Sequence, residues 1–322
     1  MILRHRFTRP LGRAGLLFLV ALSWNARGAE ANAPVAPASS PRTNRARLLQ
    51  LNPPAPPRLD APLNDLALFQ HLESEGARLV ANGRTLTNWS GLLEAKACSL
   101  DLPKARSRKL SPTALARRIE RATVVVGVGY QCGKCSQLHF SGASGFFIHS
   151  SGALVTCRHV LANTLTNGLG IAVMTRDGRV CGVRQVLAVD PLHDLVVLQV
   201  EGPAFDALPL ARRDAEAGTP VMVVSNPSGH YYAVSTGVVA RRSEQMRPAG
   251  RFQSLSITAD FAKGSSGAPV CDETGSVIGV VDNTQSIYYT VEHDQQQNFQ
   301  MAVKNCSPVG ALLRLTGNAG SR

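Results

Sequence analysis

Aromatic residues are scarce in this sequence of 322 residues, at 5%, and charged residues make up only 17%. Proteins that bind single-stranded nucleic acids commonly combine a basic groove with aromatic side chains on which the bases stack. Here the basic residues are scattered, without such an aromatic set or a recognisable binding module. We therefore expect no specific nucleic-acid partner. The hydrophobic share of 44% also excludes disorder of the whole chain.

No hydrophobic run near the N-terminus is long enough to span a bilayer comfortably. The run at residues 14–24 follows four arginines and precedes small residues, which is typical of a secretory signal peptide. We predict a signal peptide over residues 1–31 and a periplasmic or secreted protein; the alternative is an uncleaved signal that anchors the protein in the membrane. Its removal lowers the net charge from +12 to +8, because five arginines and one glutamate are lost. A basic mature protein is expected to associate weakly with anionic envelope surfaces.

Seven cysteines are an odd number, so at least one thiol is unpaired within the chain. Cys132 and Cys135 form a CxxC motif, and His139 follows four residues later. Three interpretations are open: a disulfide across a turn, part of a zinc site whose fourth ligand cannot be identified, or a redox motif. The redox motif normally begins a helix, whereas this one lies in a hairpin-like loop. The disulfide is the preferred interpretation, and no metal is predicted.

The pattern of residues changes three times along the chain. Residues 32–62 are rich in proline and alanine and have no apolar periodicity, which predicts a linker. Residues 63–122 show helix-like spacing and predict a small helical segment; its best-marked helix has Ser111 as N-cap and Pro112 at its first position, and ends near Ala122. Many short β-branched runs follow, which indicate a sandwich or barrel. Ser307 and Pro308 are predicted to cap a last helix through Leu315.

A candidate nucleophile lies at the junction of two strand-like runs, within residues 261–270. Ser266 is preceded by Gly264 and followed by Gly267. A serine that attacks a carbonyl needs an exposed turn and nearby backbone N–H groups that stabilise the oxyanion. Gly264 permits a backbone conformation closed to other residues, and Gly267 is expected to leave space for a substrate backbone.

A candidate base and a candidate orienting acid occur earlier in the chain. His159 ends a pair of apolar strand-like runs, and Asp194 directly precedes a continuous apolar run. The order His159, Asp194, Ser266 is that of the chymotrypsin triad. His193 is a lesser rival as the base, because it lies on the acid's own segment.

Six motifs carry a resemblance to trypsin-like serine proteases of the bacterial HtrA (Deg) type, over roughly residues 123–315. They are Ser-Gly-Phe-Phe-Ile from Ser144, Thr-Cys-Arg-His-Val from Thr156, Asp-Leu-Val-Val-Leu from Asp194, Ser-Asn-Pro-Ser-Gly from Ser225, Ser-Thr-Gly-Val-Val from Ser235 and Gly-Ser-Ser-Gly-Ala-Pro from Gly264. The resemblance implies two packed six-stranded antiparallel β-barrels with a C-terminal helix, so residues 123–322 are predicted to be the protease domain. Seven residues follow the last helix, which leaves no room for the PDZ domain that many such proteases carry.

The resemblance also implies a function. We expect an exported serine endopeptidase that cleaves proteins or peptides with the triad His159, Asp194 and Ser266, and with an oxyanion hole formed by the N–H groups of Gly264 and Ser266. No cofactor is required by this chemistry, and no oligomeric state is predicted. Two other functions remain: a catalytically silent module that binds peptides or an envelope partner, and a CxxC disulfide oxidoreductase.

Two positions bear on specificity and activation. In trypsin-like domains the floor of the primary pocket lies six positions before the nucleophile, which implies Asp260 here and a preference for Arg or Lys. HtrA-type pockets usually take small aliphatic residues, however, and in their loop path Asp260 would face solvent or pair with Lys263. At position 265, trypsin-type zymogens have an aspartate that pairs with a new N-terminus. Ser265 stands there instead, so activation by that ion pair is not expected.

Overall fold

The computed structural model describes residues 62–319, apart from residue 133 and residues 163–168 and 293–294. The predicted signal peptide, 1–31, and nearly all of the predicted linker, 32–62, lie outside these residues. Among the residues described, no helix combines the length and the apolar character that crossing a membrane requires.

Strands dominate the described chain, with helices at its two ends and after β3. The helices are α1 Asp65–Ala81, α2 Pro112–Ala122, α3 Arg158–Ala162 and α4 Val309–Leu315. The strands are β1 Thr123–Gln131, β2 Leu138–His149, β3 Ala153–Cys157, β4 Ile171–Thr175, β5 Val180–Asp190, β6 Leu195–Val200, β7 Pro220–Ser225, β8 Ala233–Arg247, β9 Gly250–Ile257, β10 Pro269–Cys271, β11 Val277–Glu292 and β12 Gln295–Pro308.

The strands form two closed antiparallel barrels of six strands each. The first has the order β1-β2-β3-β6-β5-β4 and closes where β1 pairs with β4; the second has the order β10-β11-β12-β9-β8-β7 and closes where β10 pairs with β7. Closure removes the unpaired strand edges that would otherwise promote aggregation. The predicted fold class, two six-stranded barrels with a C-terminal helix and a helical N-terminal segment, is confirmed.

The N-terminal helices pack on the barrels with their apolar faces. Leu72 of α1 and Ile119 of α2 are fully buried in one cluster with residues of both barrels. The start of α2 is as predicted, because the Ser111 Oγ accepts a hydrogen bond from the Ala114 N–H at 3.4 Å and Pro112 occupies the first turn. The helix ends at Ala122, where the β-branched run of β1 begins.

Two details near the C-terminus differ from the sequence predictions. Ser307 does not cap α4, since its hydroxyl donates to the His193 carbonyl oxygen at 2.5 Å and Pro308 is the N-cap residue. Strand β11 is longer than the short runs that the sequence indicated, because it continues from Val277 to Glu292. The polar residues from Asp282 to Ser286 stay in the strand because β11 pairs with β12 along its length, with two irregularities, after Val281 and after Ile287.

Candidate active site

Ser266 lies in a tight turn between β9 and β10, and two glycines with positive φ shape this turn. Gly264 has φ +95° and Gly267 has φ +87°, values that residues with a Cβ rarely adopt. A Cβ at Gly267 would lie 2.3 Å from both the Ser144 carbonyl oxygen and the Thr156 hydroxyl oxygen. Gly267 therefore allows the turn to press against the first barrel, rather than leaving space for a substrate backbone as the sequence suggested.

His159 and Asp194 meet Ser266 from the first barrel. His159 lies in the short helix α3, directly after β3, and Asp194 directly precedes β6. One oxygen of the Asp194 carboxylate is hydrogen-bonded to His159 Nδ1, and the other accepts the His159 backbone N–H at 2.9 Å. His159 Nε2 is 3.0 Å from Ser266 Oγ. The structure thus brings together the three side chains that the sequence proposed as a triad.

The electrostatic environment of His159 favours its protonated form. Burial lowers the pKa of the imidazole, but the hydrogen bond and negative charge of Asp194 oppose this effect and the net result is a raised pKa. Asp282 adds a further negative charge that raises the pKa, and Arg247 lowers it. An imidazole in this environment holds a proton well once it has accepted one.

Arg247 and Asp282 form an ion pair beside the triad that the sequence alone did not reveal. The two side chains are in contact, and Arg247 also donates to the Leu192 carbonyl oxygen at 2.8 Å. Burial raises the pKa of the Asp282 carboxyl. The positive charge of Arg247 lowers this pKa and the negative charge of nearby Asp194 raises it, and the net result is a raised pKa. Ser266 Oγ lies 3.3 Å from the Asp282 backbone oxygen. A cleft at this point is lined by His159, Pro191, Asp194, Arg247, Ser266, Asp282 and Asn283.

The peptide before the nucleophile is held in a defined orientation. The Lys263 carbonyl oxygen accepts the Ser228 N–H at 2.6 Å, and the Gly264 carbonyl oxygen accepts the Ser144 hydroxyl at 2.9 Å. Because a trans peptide points its N–H opposite to its carbonyl, the Gly264 N–H faces away from Ser228. In the described part of the chain, neither this N–H nor that of Ser266 donates a hydrogen bond. Both N–H groups are therefore available to an acceptor from outside the chain.

A buried polar network fixes this turn to the first barrel. Asn226 donates from its side chain to the Val124 carbonyl oxygen at 3.0 Å and to Ser144 Oγ at 3.1 Å, while its own Oδ1 accepts the Tyr232 N–H at 3.0 Å. The Ser144 N–H donates to the Ser266 carbonyl oxygen at 3.1 Å. Ser144 and Asn226 both lie within motifs of the family resemblance, but no role could be predicted for either residue from the sequence. Their partners are far away in the chain, so no local pattern marks them.

Asp260 does not lie at the floor of a buried pocket. Its side chain is 91% exposed and pairs with Lys304, whose Nζ is 3.1 Å from Asp260 Oδ1 and 2.5 Å from the Phe261 carbonyl oxygen. The solvent-facing alternative is therefore the one observed, with Lys304 rather than Lys263 as the partner. A carboxylate in this exposed position does not form the base of a buried pocket, which removes the structural reason for the predicted preference for Arg or Lys.

Ser265 is fully buried, and its hydroxyl has internal partners. It donates to Ser225 Oγ at 3.0 Å and accepts the Ala262 N–H at 3.3 Å. The turn is thus supported by neutral hydrogen bonds at the position where an aspartate would need a charged partner.

His193, the rival base, is directed elsewhere, because its Nδ1 is 2.7 Å from the Asp190 carboxylate.

Cys132 and Cys135 are both thiols in this structure. Their Sγ atoms are 3.4 Å apart, compared with about 2.05 Å in a disulfide. The disulfide that the sequence favoured is therefore not formed here. Cys135 Sγ also lies 3.1 Å from His139 Nε2, so the three side chains form one cluster.

This chain resembles a known protein family and known structures, and the segment that the family matches contains His159, Asp194 and Ser266. The family of trypsin-like peptidase domains matches residues 143–280, the segment that holds the triad. The chain contains a trypsin-like peptidase domain. This domain is homologous to the DegP/HtrA proteases: a probable periplasmic serine endoprotease, DegP-like, from Bartonella henselae is 32% identical over 139 residues, which are 42% of this chain and 27% of that protein.

Two further similarities extend the comparison. The protein y4bJ of Sinorhizobium fredii is 31% identical over 178 residues, which are 54% of this chain and 27% of the relative. The trypsin-like domain also resembles the solved structure of the HtrA-type protease AlgW with a decapeptide, at a TM-score of 0.53 and 19% identity, over 66% of this chain and 68% of AlgW. The chain spans about a quarter of the length of these two curated relatives.

Proposed function

We propose that the chain is an exported serine endopeptidase that cleaves peptide bonds with His159, Asp194 and Ser266. The observation that carries this proposal is the position of His159, whose Nδ1 is hydrogen-bonded to Asp194 and whose Nε2 is 3.0 Å from Ser266 Oγ. This is the contact that a serine needs in order to transfer its proton during attack on a carbonyl. The homology to DegP-like serine endoproteases supports the same reaction.

The proposed steps follow from this arrangement. Asp194 fixes the tautomer of His159, so that Nε2 faces the nucleophile as an acceptor. His159 takes the Ser266 proton as Oγ attacks the scissile carbonyl, and the N–H groups of Gly264 and Ser266 stabilise the oxyanion. His159 then protonates the leaving amine, and water hydrolyses the acyl-enzyme by the same steps. Every proton moves between these side chains, the substrate and the attacking water.

Protein or peptide segments are the proposed substrates. The AlgW protease was solved with a decapeptide, which supports peptides as ligands of this fold. In this chain the cleft beside Ser266 contains both an acid, Asp282, and a base, Arg247, which are paired with each other. This pair therefore adds little net charge to the cleft, and we propose that it imposes no requirement for an acidic or basic residue next to the cleaved bond.

The experiment that tests the nucleophile is labelling with a fluorophosphonate probe followed by peptide mapping. We expect the probe on Ser266 and no labelling in Ser266→Ala, while Ser151→Ala, an exposed turn serine, labels like the wild type. A well-folded wild type that does not label would contradict the proposal and favour the silent peptide-binding module. Thiol-dependent insulin reduction that persists in Ser266→Ala would instead indicate the disulfide oxidoreductase.

Export through a cleaved signal peptide is part of the proposal. It is supported by the arginine-rich and apolar start of the sequence and by relatives that are named periplasmic. We expect the protein isolated from cells to lie outside the cytoplasm and to begin near residues 29–32. An N-terminus at Met1 would show that the signal is not removed and would favour a membrane anchor.

A further inference from the structure

The strongest unexplained feature lies outside the triad, at the tip of the β1–β2 hairpin. Cys132, Cys135 and His139 offer ligand atoms that all lie within 4.8 Å of one another. The proposed peptidase chemistry uses none of them. Both cysteines are exposed and His139 is half-buried, so the cluster is open to ions from solvent.

The hairpin register explains why these side chains converge. His139 on β2 is directly opposite Tyr130 on β1, and Cys132 follows Tyr130 by two residues, just past the end of the strand. Side chains two residues apart in an extended chain lie on the same face, which brings Cys132 to the face of His139. Cys135 lies on the same face, because its Sγ is 3.4 Å from Cys132 Sγ and 3.1 Å from His139 Nε2.

A carboxylate from helix α1 lies beside the imidazole. Glu73 Oε1 lies 3.6 Å from His139 Nδ1 and also accepts the Phe140 N–H at 3.5 Å. In the tautomer with the proton on Nδ1, on the side of this carboxylate, the Nε2 lone pair is directed at the Cys135 thiol, 3.1 Å away. Histidines that ligate metals in proteins are commonly held by a carboxylate in this way. Tyr130 further limits the ring, with the two ring centroids 5.8 Å apart.

The spacing fits a metal ion better than it fits a disulfide. In a tetrahedral zinc site with the usual bond lengths, two sulfurs are roughly 3.8 Å apart and sulfur and nitrogen roughly 3.6 Å apart. The observed distances of 3.4 Å and 3.1 Å need to expand only by a few tenths of an ångström. A disulfide would require the sulfurs to approach by more than 1 Å and would leave the oriented His139 without a partner.

We propose that Cys132, Cys135 and His139 form a three-ligand site for Zn²⁺ or a similar thiophilic divalent ion, with Glu73 as the positioning residue. Two thiolates and an imidazole are ligands that zinc prefers, and a fourth position would be open to water or another external ligand. Binding releases protons from both thiols to solvent. The ion would join the hairpin tip into one unit and, through His139 and Glu73, connect it to α1.

Titration of the reduced full chain with Co²⁺, a spectroscopic substitute for Zn²⁺, tests the site. We expect one Co²⁺ per chain, with sulfur-to-cobalt charge-transfer absorption and the intense visible bands of tetrahedral coordination, and loss of both when Zn²⁺ is added. Cys132→Ser/Cys135→Ser should abolish this signal. Cys181→Ser, which changes a partly buried cysteine elsewhere, should retain it.

The role of Glu73 has its own matched control. Glu73→Gln should weaken Co²⁺ binding by about 10- to 100-fold, as removal of such an outer partner usually does. Glu75→Gln on the same helix, where Glu75 pairs with Arg78, should bind like the wild type. Equal affinities of these two variants would contradict the positioning role.

Two results would overturn the site itself. One is a reduced wild-type chain that folds but fails to bind one equivalent of Co²⁺. The other is binding that survives in the double serine variant, which would assign the ion elsewhere, for example to Cys157, His159 and Asp194, whose ligand atoms also lie within 4.8 Å of one another. Because fluorophosphonate labelling of Ser266 is measured separately, failure of the metal site would leave the proposed peptidase function intact.

Discussion

Asp194 has more contacts with the candidate base than a simple charge pair would require. Its two carboxylate oxygens accept from the His159 side chain and backbone, and its own carbonyl oxygen accepts the Arg158 N–H at 2.9 Å. Its φ of +57° is uncommon for a residue with a side chain, although aspartate and asparagine tolerate it best. The backbone conformation and the two acceptors together hold His159 in one orientation.

Asp194→Asn should lower the rate of peptide cleavage by about 10⁴-fold while leaving the fold intact. Asparagine tolerates the same φ, but its amide favours the wrong imidazole tautomer at Nδ1. Asp190→Asn is the matched control, because Asp190 pairs with His193 away from the nucleophile. Steady-state kinetics on one peptide compares them. A severe loss in Asp190→Asn with a mild loss in Asp194→Asn would reverse the assignment.

The pH dependence follows from the raised pKa of His159. The base must be neutral before it can accept the Ser266 proton, so kcat/KM should fall as the pH drops through a value above the ordinary 6.5. NMR titration of His159 in Ser266→Ala measures this pKa directly. In Ser266→Ala/Asp194→Asn the pKa should be lower, since the hydrogen bond and charge of Asp194 are gone. A pKa that stays the same, or rises, would contradict the role of Asp194.

At the scale of elements, the nucleophile turn depends on its contact with strands of the other barrel. Gly267 lies against Ser144 on β2 and Thr156 on β3, and Asn226, just after β7, donates to Ser144 and to β1. The Thr156 hydroxyl donates to the Ser144 carbonyl oxygen at 2.7 Å, which keeps these two strands in place under the turn. No part of this support is local in the sequence.

Gly267→Ala should be more destabilising than Gly218→Ala. Both glycines have φ +87°, but a Cβ at Gly267 meets two oxygens at 2.3 Å, whereas nothing lies within 4 Å of a Cβ at Gly218. We expect the conformational cost of about 1 kcal/mol in both variants, and a further loss from the collision only at position 267. Urea unfolding measures both, and the fluorophosphonate labelling rate should fall only in Gly267→Ala. Equal losses of stability in the two variants would show that the close contact of Gly267 with Ser144 and Thr156 does not contribute to the stability of the fold.

The same contrast explains what the sequence could and could not predict. Strand periodicity and the Ser111-Pro112 signal are local; the first predicted the barrel strands, apart from the length of β11, and the second predicted the start of α2. The local contexts and chain order of His159, Asp194 and Ser266 indicated a triad, but the direction of Asp260 depends on Lys304 from β12, which the resemblance does not specify. Asp282 on β11 and Arg247 on β8 meet although these strands are not neighbours in the barrel, and Ser144 and Asn226 are 82 residues apart. Polar contacts of this kind leave no periodic pattern in the sequence.

At the scale of the whole molecule, the candidate site is divided between the barrels. The base and the acid belong to the first barrel and the nucleophile to the second, so the relative position of the barrels sets the 3.0 Å distance from His159 Nε2 to Ser266 Oγ. The buried contact of Ser144 with Gly264 and Asn226, at 2.9 Å and 3.1 Å, fixes that position from inside. Helices α1 and α2 add an outer apolar layer to the same core.

Cleavage of an unfolded protein such as casein tests the proposed peptidase activity most directly, with new N-termini identified by mass spectrometry. We predict internal cleavage by the wild type, none by Ser266→Ala, and full activity of Ser151→Ala. Because the site needs both barrels, the whole folded chain is assayed, and circular dichroism confirms that each variant is folded. A folded wild type that leaves casein intact, or a Ser266→Ala variant that cleaves it, would contradict peptide-bond cleavage by this triad.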